Sequence, residues 1–445
     1  MTAHVRNLPV HARARSGFHV AIVGGGVGGL TLAQGLKKAG ISVAVYERDR
    51  TPTDRLQGYR VRISSSGSRA LHACLPPHLF EAFTRTCGKP GRAVHFLTEN
   101  MDVLLTLSTT VANADPVAAN RHISRIILRQ VLLSELDDVV HFGKTFTRYV
   151  DDPSGPVVAY FEDGTAATGD VLVAADGGGS RVRQQLLPEA KRIDTGVVGI
   201  AGKIFLDGAA REEIAPLLLD GLAFVSAKGG VGLFVAMQDL EHPKAQEFGG
   251  NGPSPPGGNH FDNTRSYQMW ALSQRREQLG FGDSVEALDS QRLKAIALRT
   301  MAEWNKRFRD LVHLADPDTV NMISIRTSVP VAPWKTGRIT LLGDAIHSMT
   351  PYRGIGANIA LKDAMRLRDA LVSAHNGKRE LLEAIHAYEE DMIRYGFTAV
   401  ERSRLAMEQA LTTSVAQRNI SRAALRIIDK LPALKPRIFR RMADE

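Results

Sequence analysis

The sequence predicts an α/β chain: a largely parallel sheet flanked by helices, a separate domain rich in strand, and helices at the C-terminal end. Three observations carry that prediction. Val20 to Leu36, V-A-I-V-G-G-G-V-G-G-L-T-L-A-Q-G-L, passes from a short apolar strand through a glycine turn into a helix. Similar junctions recur where Val171 to Ala175 runs into D-G-G-G-S-R-V-R and where Ile339 to Leu342 runs into Gly343-Asp344. Between these two, Thr195 to Ser328 is dominated by strand-like pieces.

The first junction is the most informative about chemistry. Val20 to Val23 is apolar without alternation, as in a strand buried on both faces of a parallel sheet. Gly24, Gly26 and Gly29 fall at the G-x-G-x-x-G spacing. The first glycine permits the tight turn, the second lets the backbone approach a pyrophosphate, and the third lets the helix pack on the strand. The free N–H groups and positive dipole end of the helix over Leu30 to Lys38 would face phosphates. That helix stops at Gly40, and a second strand, Ile41 to Tyr46, ends at Glu47, about 20 residues on, where an acid takes ribose hydroxyls. A carboxylate there disfavours a 2′-phosphate, because two anions repel.

After Glu47, R-L-Q-G-Y-R-V-R-I alternates Tyr59, Val61 and Ile63 with Arg60 and Arg62, and one of these arginines either faces a ligand or is solvated strand charge. Helices follow from Gly67 to Leu75, closed by Pro76-Pro77, and from His78 to Thr86. Val94 to Val111 reads as strands of a different region. The helix I-S-R-I-I-L-R-Q-V-L-L sets Ile123, Ile126, Ile127 and Val131 on an apolar stripe, with Arg125 and Arg129 beside it. Val139 to His141, Val157 to Phe161 and Val171 to Ala175 are strands, and E-D-G-T at Glu162 to Thr165 signals a hairpin joining two of them.

The strand-rich region includes Val197 to Phe205, Leu222 to Val225, Gly232 to Met237 and Tyr267 to Leu272, with a loop at Gly249 to Asn259. In the strand Tyr267 to Leu272, one face carries Trp270, a candidate to stack on substrate or a plain core residue. A helical pattern runs from Ser284 to Arg309, and a long helix covers Leu381 to Leu411. The last helix, Ile420 to Leu431, carries Arg418, Arg422, Arg426 and Lys430 on one face and Ile420, Ala424, Ile427, Ile428 and Leu431 on the other. Its apolar side is expected to pack on the body, the alternative being contact with a membrane surface.

Composition narrows the function. The 445 residues suffice for two or three domains. The formal charge of +9 is concentrated at the ends: three arginines and no acid in residues 1–17, read as a basic leader, and eight basic against three acidic residues in 415–445. The body is nearly neutral, which argues against a nucleic-acid groove. Cys74 and Cys87 form no metal-ligand or C-x-x-C pattern, as in a reducing compartment. No apolar leader precedes Phe18 and no run of about 18 apolar residues occurs, so a cytoplasmic protein without a transmembrane segment is expected.

Taken together, G-G-G-V-G-G with Glu47, A-D-G-G-G-S-R-V-R and L-L-G-D-A-I-H-S-M-T-P-Y-R-G-I-G-A-N resemble the three ordered motifs of the single-component, FAD-dependent aromatic hydroxylases, the group A flavoprotein monooxygenases. The resemblance implies an FAD-binding Rossmann-like domain with an inserted antiparallel-sheet substrate domain and C-terminal helices. It divides the chain into cofactor segments at 18–95, 121–190 and 331–376, substrate-domain segments at 96–120 and 191–330, and C-terminal helices over 377–445.

It further implies that Gly24, Gly26 and Gly29 approach the FAD pyrophosphate, Glu47 holds the adenosine ribose, Arg125 reaches FAD from its helix, and Asp344 holds the ribityl chain. Asp176 lies in a motif associated with FAD and pyridine-nucleotide use. Gly356 and Asn358 open a helix near the flavin pyrimidine ring, where its dipole would stabilise the negative charge gained on reduction. His347 is read as a buried hydrogen-bonding residue or, alternatively, a proton-transfer group. The implied activity uses NADH or NADPH to reduce FAD, adds O2 at the flavin C4a, and hydroxylates an aromatic or polyketide-like small molecule. Alternatives are a non-oxygenating flavin oxidoreductase and a catalytically silent FAD-binding module. The sequence lacks the W-x-W-x-I-P of flavin halogenases, and no thioredoxin-like domain is expected after Leu411.

Overall fold

The computed structural model describes residues 17–54, 59–89, 91–109, 115–240, 265–280, 288–436 and 438. The expected basic leader, except Gly17, and the loop Gly249 to Asn259 lie outside the described residues.

A five-stranded parallel sheet carries the expected junctions. Its order is Ile339–Leu341, Val171–Ala174, His19–Val23, Ser42–Tyr46, Val140–His141. Val20, Ile22 and Val45 are wholly buried because helices cover one face and a second, three-stranded sheet the other, where the Phe161 ring lies 4.9 Å from that of Tyr46, which is why these strands read as unbroken apolar runs. The helices Val27–Lys38, Arg125–Leu133 and Gly356–His375 pack with this sheet into the larger of the hydrophobic cores.

A three-stranded antiparallel sheet, Phe146–Asp151, Val157–Phe161 and Ala166–Gly169, lies beside it. The E-D-G-T turn therefore does not join Val157–Phe161 to Val171–Ala174. Its return strand is Ala166–Gly169, whose small residues gave no strand signal, while Val171–Ala174 is taken by parallel pairing with His19–Val23.

The strand-rich region forms a seven-stranded sheet ordered Asn321–Ser328, Arg192–Phe205, Tyr267–Arg275, Val231–Gln238, Gly221–Ala227, Ala93–Leu97, Val103–Ser108. All its pairings are antiparallel except that of Gly221–Ala227 with Ala93–Leu97. One face, with Ile200, Ile204, Val235 and Trp270, is closed by the helices Ser290–Thr300 and Lys306–Leu314 through Leu293, Ala297 and Phe308. These are two helices where one was expected from Ser284, because the chain breaks at Trp304-Asn305 and Asn305 caps the second through the Arg307 N–H; residues 284–287 lie outside the described set. The other face carries Tyr267, Met269 and Ala236, against which Tyr59, Phe205 and Phe234 pack half-buried.

Tyr59 leads into the ribbon Arg60–Ile63, paired with Arg121–Ser124, which links the two large sheets. Tyr59 Oη donates to the Thr319 carbonyl at 3.3 Å, and Arg60 Nη1 to that of Met237 at 2.5 Å.

The C-terminal helix spans Val415–Asp429 and is turned opposite to expectation. Arg418 is buried, Arg422 bonds Glu99 and the Ser226 carbonyl, and Ile420 and Ile427 point to solvent. Polar partners on the body decide this: Glu99 receives Arg422 and the Thr106 N–H donates to Asp429, while only Leu425 and Ile428 reach the apolar patch of Val94, Leu105 and Leu107.

Candidate cofactor and substrate site

The C-terminal ends of the parallel strands gather the glycine turns, the crevice in which open α/β sheets take ligands. Gly24 has φ +108°, and a Cβ on it would lie 2.4 Å from the Ala175 carbonyl oxygen; one on Gly29 would lie 2.2 Å from that of Gly24. The chain's own packing therefore requires both glycines. A Cβ on Gly26 would meet nothing within 4 Å, so the open side of the turn is the side a phosphate would occupy. The helix Val27–Lys38 has no side-chain cap and no acid in its first turn, leaving its first N–H groups for an anion. This cradle fits the pyrophosphate of FAD.

Glu47 is buried at the end of its strand. Its Oε2 accepts the Gly25 N–H at 2.5 Å and its Oε1 the Asp49 N–H at 2.9 Å. Each carboxylate oxygen keeps a lone pair for a hydroxyl, so the acid braces the turn as well as facing the crevice. Arg129 joins in, donating to the carbonyls of Gly25 at 3.3 Å and Pro52 at 2.6 Å and lying 3.4 Å from Asp49 Oδ2. Sequence reasoning singled out its neighbour Arg125, which is exposed at the start of the same helix. Arg129 was signalled only by lying one turn on.

Asp176 accepts the Arg181 N–H at 3.0 Å, and burial raises its pKa above the usual carboxylate value despite hydrogen bonds that lower it. Arg183 ties this turn to the third motif by donating to the carbonyls of Gly178 at 3.1 Å and Ala345 at 2.8 Å.

In the third motif, Gly343 adopts φ +60° and Asp344 is exposed at the strand end. Asp363, fully buried, holds the turn from beneath: its Oδ2 accepts the Gly343 N–H at 2.7 Å and faces His347 Nε2 at 2.6 Å, while its Oδ1 accepts Tyr395 Oη at 2.6 Å. Burial alone would lower the His347 pKa, but the charge and hydrogen bond of Asp363 raise it above the ordinary value. A Cβ on Gly396 would lie 2.6 Å from His347 Cδ2, so this mid-helix glycine makes room for the imidazole. Asp363 was missed, although an acid between Ile359 and Leu367 on an apolar stripe is a legible signal.

Gly356 and Asn358 open the helix Gly356–His375, which has no capping side chain and no acid in its first turn. Asn358 is fully buried: its Oδ1 accepts the Ser64 N–H at 2.8 Å and its Nδ2 donates to the Arg62 carbonyl at 2.9 Å. Its side chain is thus spent on the linking ribbon, and what it offers a ligand is the helix-terminal backbone.

Of the two readings of Trp270, the core one fits its surroundings. It is fully buried in the helix-covered core of the seven-stranded sheet, so alternation puts Tyr267 and Met269, not Trp270, on the face towards the ribbon. That face continues as a row of rings, Phe96 on Phe224 at 5.5 Å and Phe224 on Phe234 at 5.2 Å. Lys203 lies there with Nζ 5.2 Å from the Tyr59 ring centre and 4.7 Å from that of Tyr267, and burial pushes its pKa down to about 8. Burial, then the charges of Arg60 and Arg62, push His122 well below its ordinary value, which keeps it neutral.

Comparison with known proteins agrees with a cofactor-binding Rossmann-like fold. Residues 264–403 match the model of an FAD binding domain, and residues 22–86 that of an NAD(P)-binding Rossmann-like domain. The chain is similar to the dual O-methyltransferase/FAD-dependent monooxygenase elcB of Phaeosphaeria nodorum, 28% identical over 91% of this chain and 47% of the relative. It spans about half the length of that relative and of comparable dual-function proteins. It is 30% identical to the FAD-dependent monooxygenase dbaB of Emericella nidulans, covering 80% of this chain and 87% of that protein. A crystal structure from Photorhabdus luminescens described as an FAD containing monooxygenase aligns with TM-score 0.77 and 32% identity, over 88% of this chain and 98% of that one.

Proposed function

The chain belongs to the FAD-dependent monooxygenases, and from that premise we propose that it uses NADH or NADPH and O2 to hydroxylate an aromatic or polycyclic small molecule. The observation that carries this reading is the meeting of three turns, Gly24–Gly29, Asp176–Ser180 and Gly343–Gly356, at one end of one sheet, with Tyr352 of the third turn packed on Val197 and Ile325 of the seven-stranded sheet.

In this reading the backbone of Gly24, Gly26 and Gly29 binds the pyrophosphate, Glu47 and Asp344 accept from cofactor hydroxyls, and Arg125, exposed beside the crevice, adds a cation. Bound FAD would supply the redox chemistry, namely uptake of a hydride from the nucleotide and activation of O2 for transfer of one oxygen atom to the substrate. The chain's part is to orient and to keep water out. The uncapped helix start at Gly356 to Asn358 presents N–H groups that stabilise negative charge on the ring system. Phe96, Phe224, Phe234, Tyr267 and Met269 offer a substrate an apolar wall, and exclusion of water protects reactive oxygen species from wasteful decay. The pyridine nucleotide visits without a second Rossmann site, since neither later turn has G-x-G-x-x-G followed by an acid-ended strand.

The test is turnover of a panel of phenols and polycyclic phenols under 18O2 with NADH and with NADPH. One labelled oxygen per product and substrate-accelerated nucleotide oxidation support the reading. Oxidised product without label would make the protein a non-oxygenating oxidoreductase, and no nucleotide oxidation at all a silent FAD-binding module.

A further inference from the structure

The helix Val415–Asp429 and the turn after it carry an apolar face that the other described residues leave exposed. Ile420 is 70% exposed, Ile427 59%, Leu431 45% and Leu434 37%. Ile420 and Ile427, two helical turns apart, form one stripe with Ala416, Ala423 and Ala424, all exposed, and Leu431 and Leu434 follow in the turn beyond the helix. The opposite face is anchored by polar groups: Arg422 bonds Glu99 and the Ser226 carbonyl, and Asp429 accepts the Thr106 N–H at 3.1 Å. Turning the stripe inward would break these bonds, so the outward orientation is fixed by the body.

We propose that this stripe docks the protein on an anionic lipid surface. Charge decides between occupants. Arg426 and Lys430 border the stripe and are exposed, and the single acid of the helix, Asp429, is turned inward to Thr106 and held by Lys435. A second copy packed stripe to stripe would bring these cations together with no acid opposite. An anionic bilayer supplies both acyl chains for Ile420 and Ile427 and headgroup charge for the flanking cations. No helix among the described residues is long and apolar enough to cross a membrane, so the contact lies on the surface.

The experiment is co-sedimentation of the FAD-loaded full chain with vesicles of phosphatidylcholine alone or with phosphatidylserine, at low and high salt. Binding to the serine-containing vesicles at least tenfold tighter than to neutral ones, weakened by salt, is expected. Ile420→Glu/Ile427→Glu and the milder Ile420→Ser/Ile427→Ser should each lose that binding by at least tenfold, with flavin content and melting temperature unchanged. No binding to anionic vesicles overturns the proposal. So does binding that both double variants retain, which would assign it to the basic residues alone, or a lipid-free dimer of the native chain that the variants convert to monomer. Turnover of soluble substrate is not part of the readout, so failure here leaves the oxygenase reading standing, and loss of that reading leaves this one.

Discussion

His347 and Asp363 face each other at 2.6 Å, both fully buried, directly beneath the turn that presents Asp344. Because Asp363 also accepts the Gly343 N–H, the pair fixes the backbone from which Asp344 reaches outward. Asp363→Asn keeps the volume but breaks the buried pair with His347, about 3 to 5 kcal/mol of stability, and loosens the turn that carries Asp344. The expected outcome is FAD affinity lowered roughly 10- to 100-fold with the fold retained, read by fluorescence titration of the apoprotein alongside circular dichroism. Unchanged affinity would mean that the turn holds its shape without the carboxylate.

The same pair gives a pH dependence with a definite sign. The folded-state pKa of His347 is raised, so its contribution to stability is fully present below the ordinary histidine value of about 6.5 and is lost as pH rises through the folded value. His347→Asn should therefore cost most at pH 6, about 3 to 5 kcal/mol for a broken buried pair, and progressively less in alkali. Urea melts at several pH values check this, and a gap that widened with pH would contradict it.

The parallel sheet was legible because three of its strands, His19–Val23, Val171–Ala174 and Ile339–Leu341, are apolar runs that lead into glycine turns, two signals carried by neighbouring residues. The place of Glu47 was legible because it directly follows the apolar run Ile41 to Tyr46. What escaped depends on partners far along the chain. Ala166–Gly169 is a strand only because Val157–Phe161 lies beside it, and the orientation of Val415–Asp429 depends on Glu99, some 300 residues away. Asn358 looked like a ligand group, yet its amide is satisfied by Ser64 and Arg62 across a similar distance. Periodicity divided the strand Tyr267–Arg275 into two faces but could not say which of them the helices Ser290–Thr300 and Lys306–Leu314 would cover.

The three glycines of the first turn separate by cause. A methyl on Gly29 would sit 2.2 Å from the Gly24 carbonyl oxygen, whereas one on Gly26, at φ −80°, meets nothing. Gly29→Ala should destabilise the apoprotein by about 1 to 3 kcal/mol, the usual cost of overpacking. Gly26→Ala should leave apoprotein melting unchanged and weaken FAD binding at least tenfold, since only the ligand approaches that side. Equal effects of both substitutions on apoprotein stability would remove the argument that Gly26 opens to the cofactor.

The two faces of the seven-stranded sheet make the last prediction. Trp270 has no exposed surface and packs with Leu293, Ala297 and Phe308, so Trp270→Ala should cost about 3 to 5 kcal/mol of stability while the molecules that remain folded keep product formation matched to nucleotide oxidation. Phe224 stands half-buried between Phe96 and Phe234 on the opposite face. Phe224→Ala opens that face to water at a smaller cost in stability. Its expected signature is kinetic: hydrogen peroxide released per nucleotide oxidised rises and hydroxylated product falls, with FAD content unchanged. Thermal melts and a peroxide assay on both variants decide the matter. Peroxide leakage from Trp270→Ala with native-like coupling in Phe224→Ala would exchange the two faces and move the substrate site to the helix-covered side.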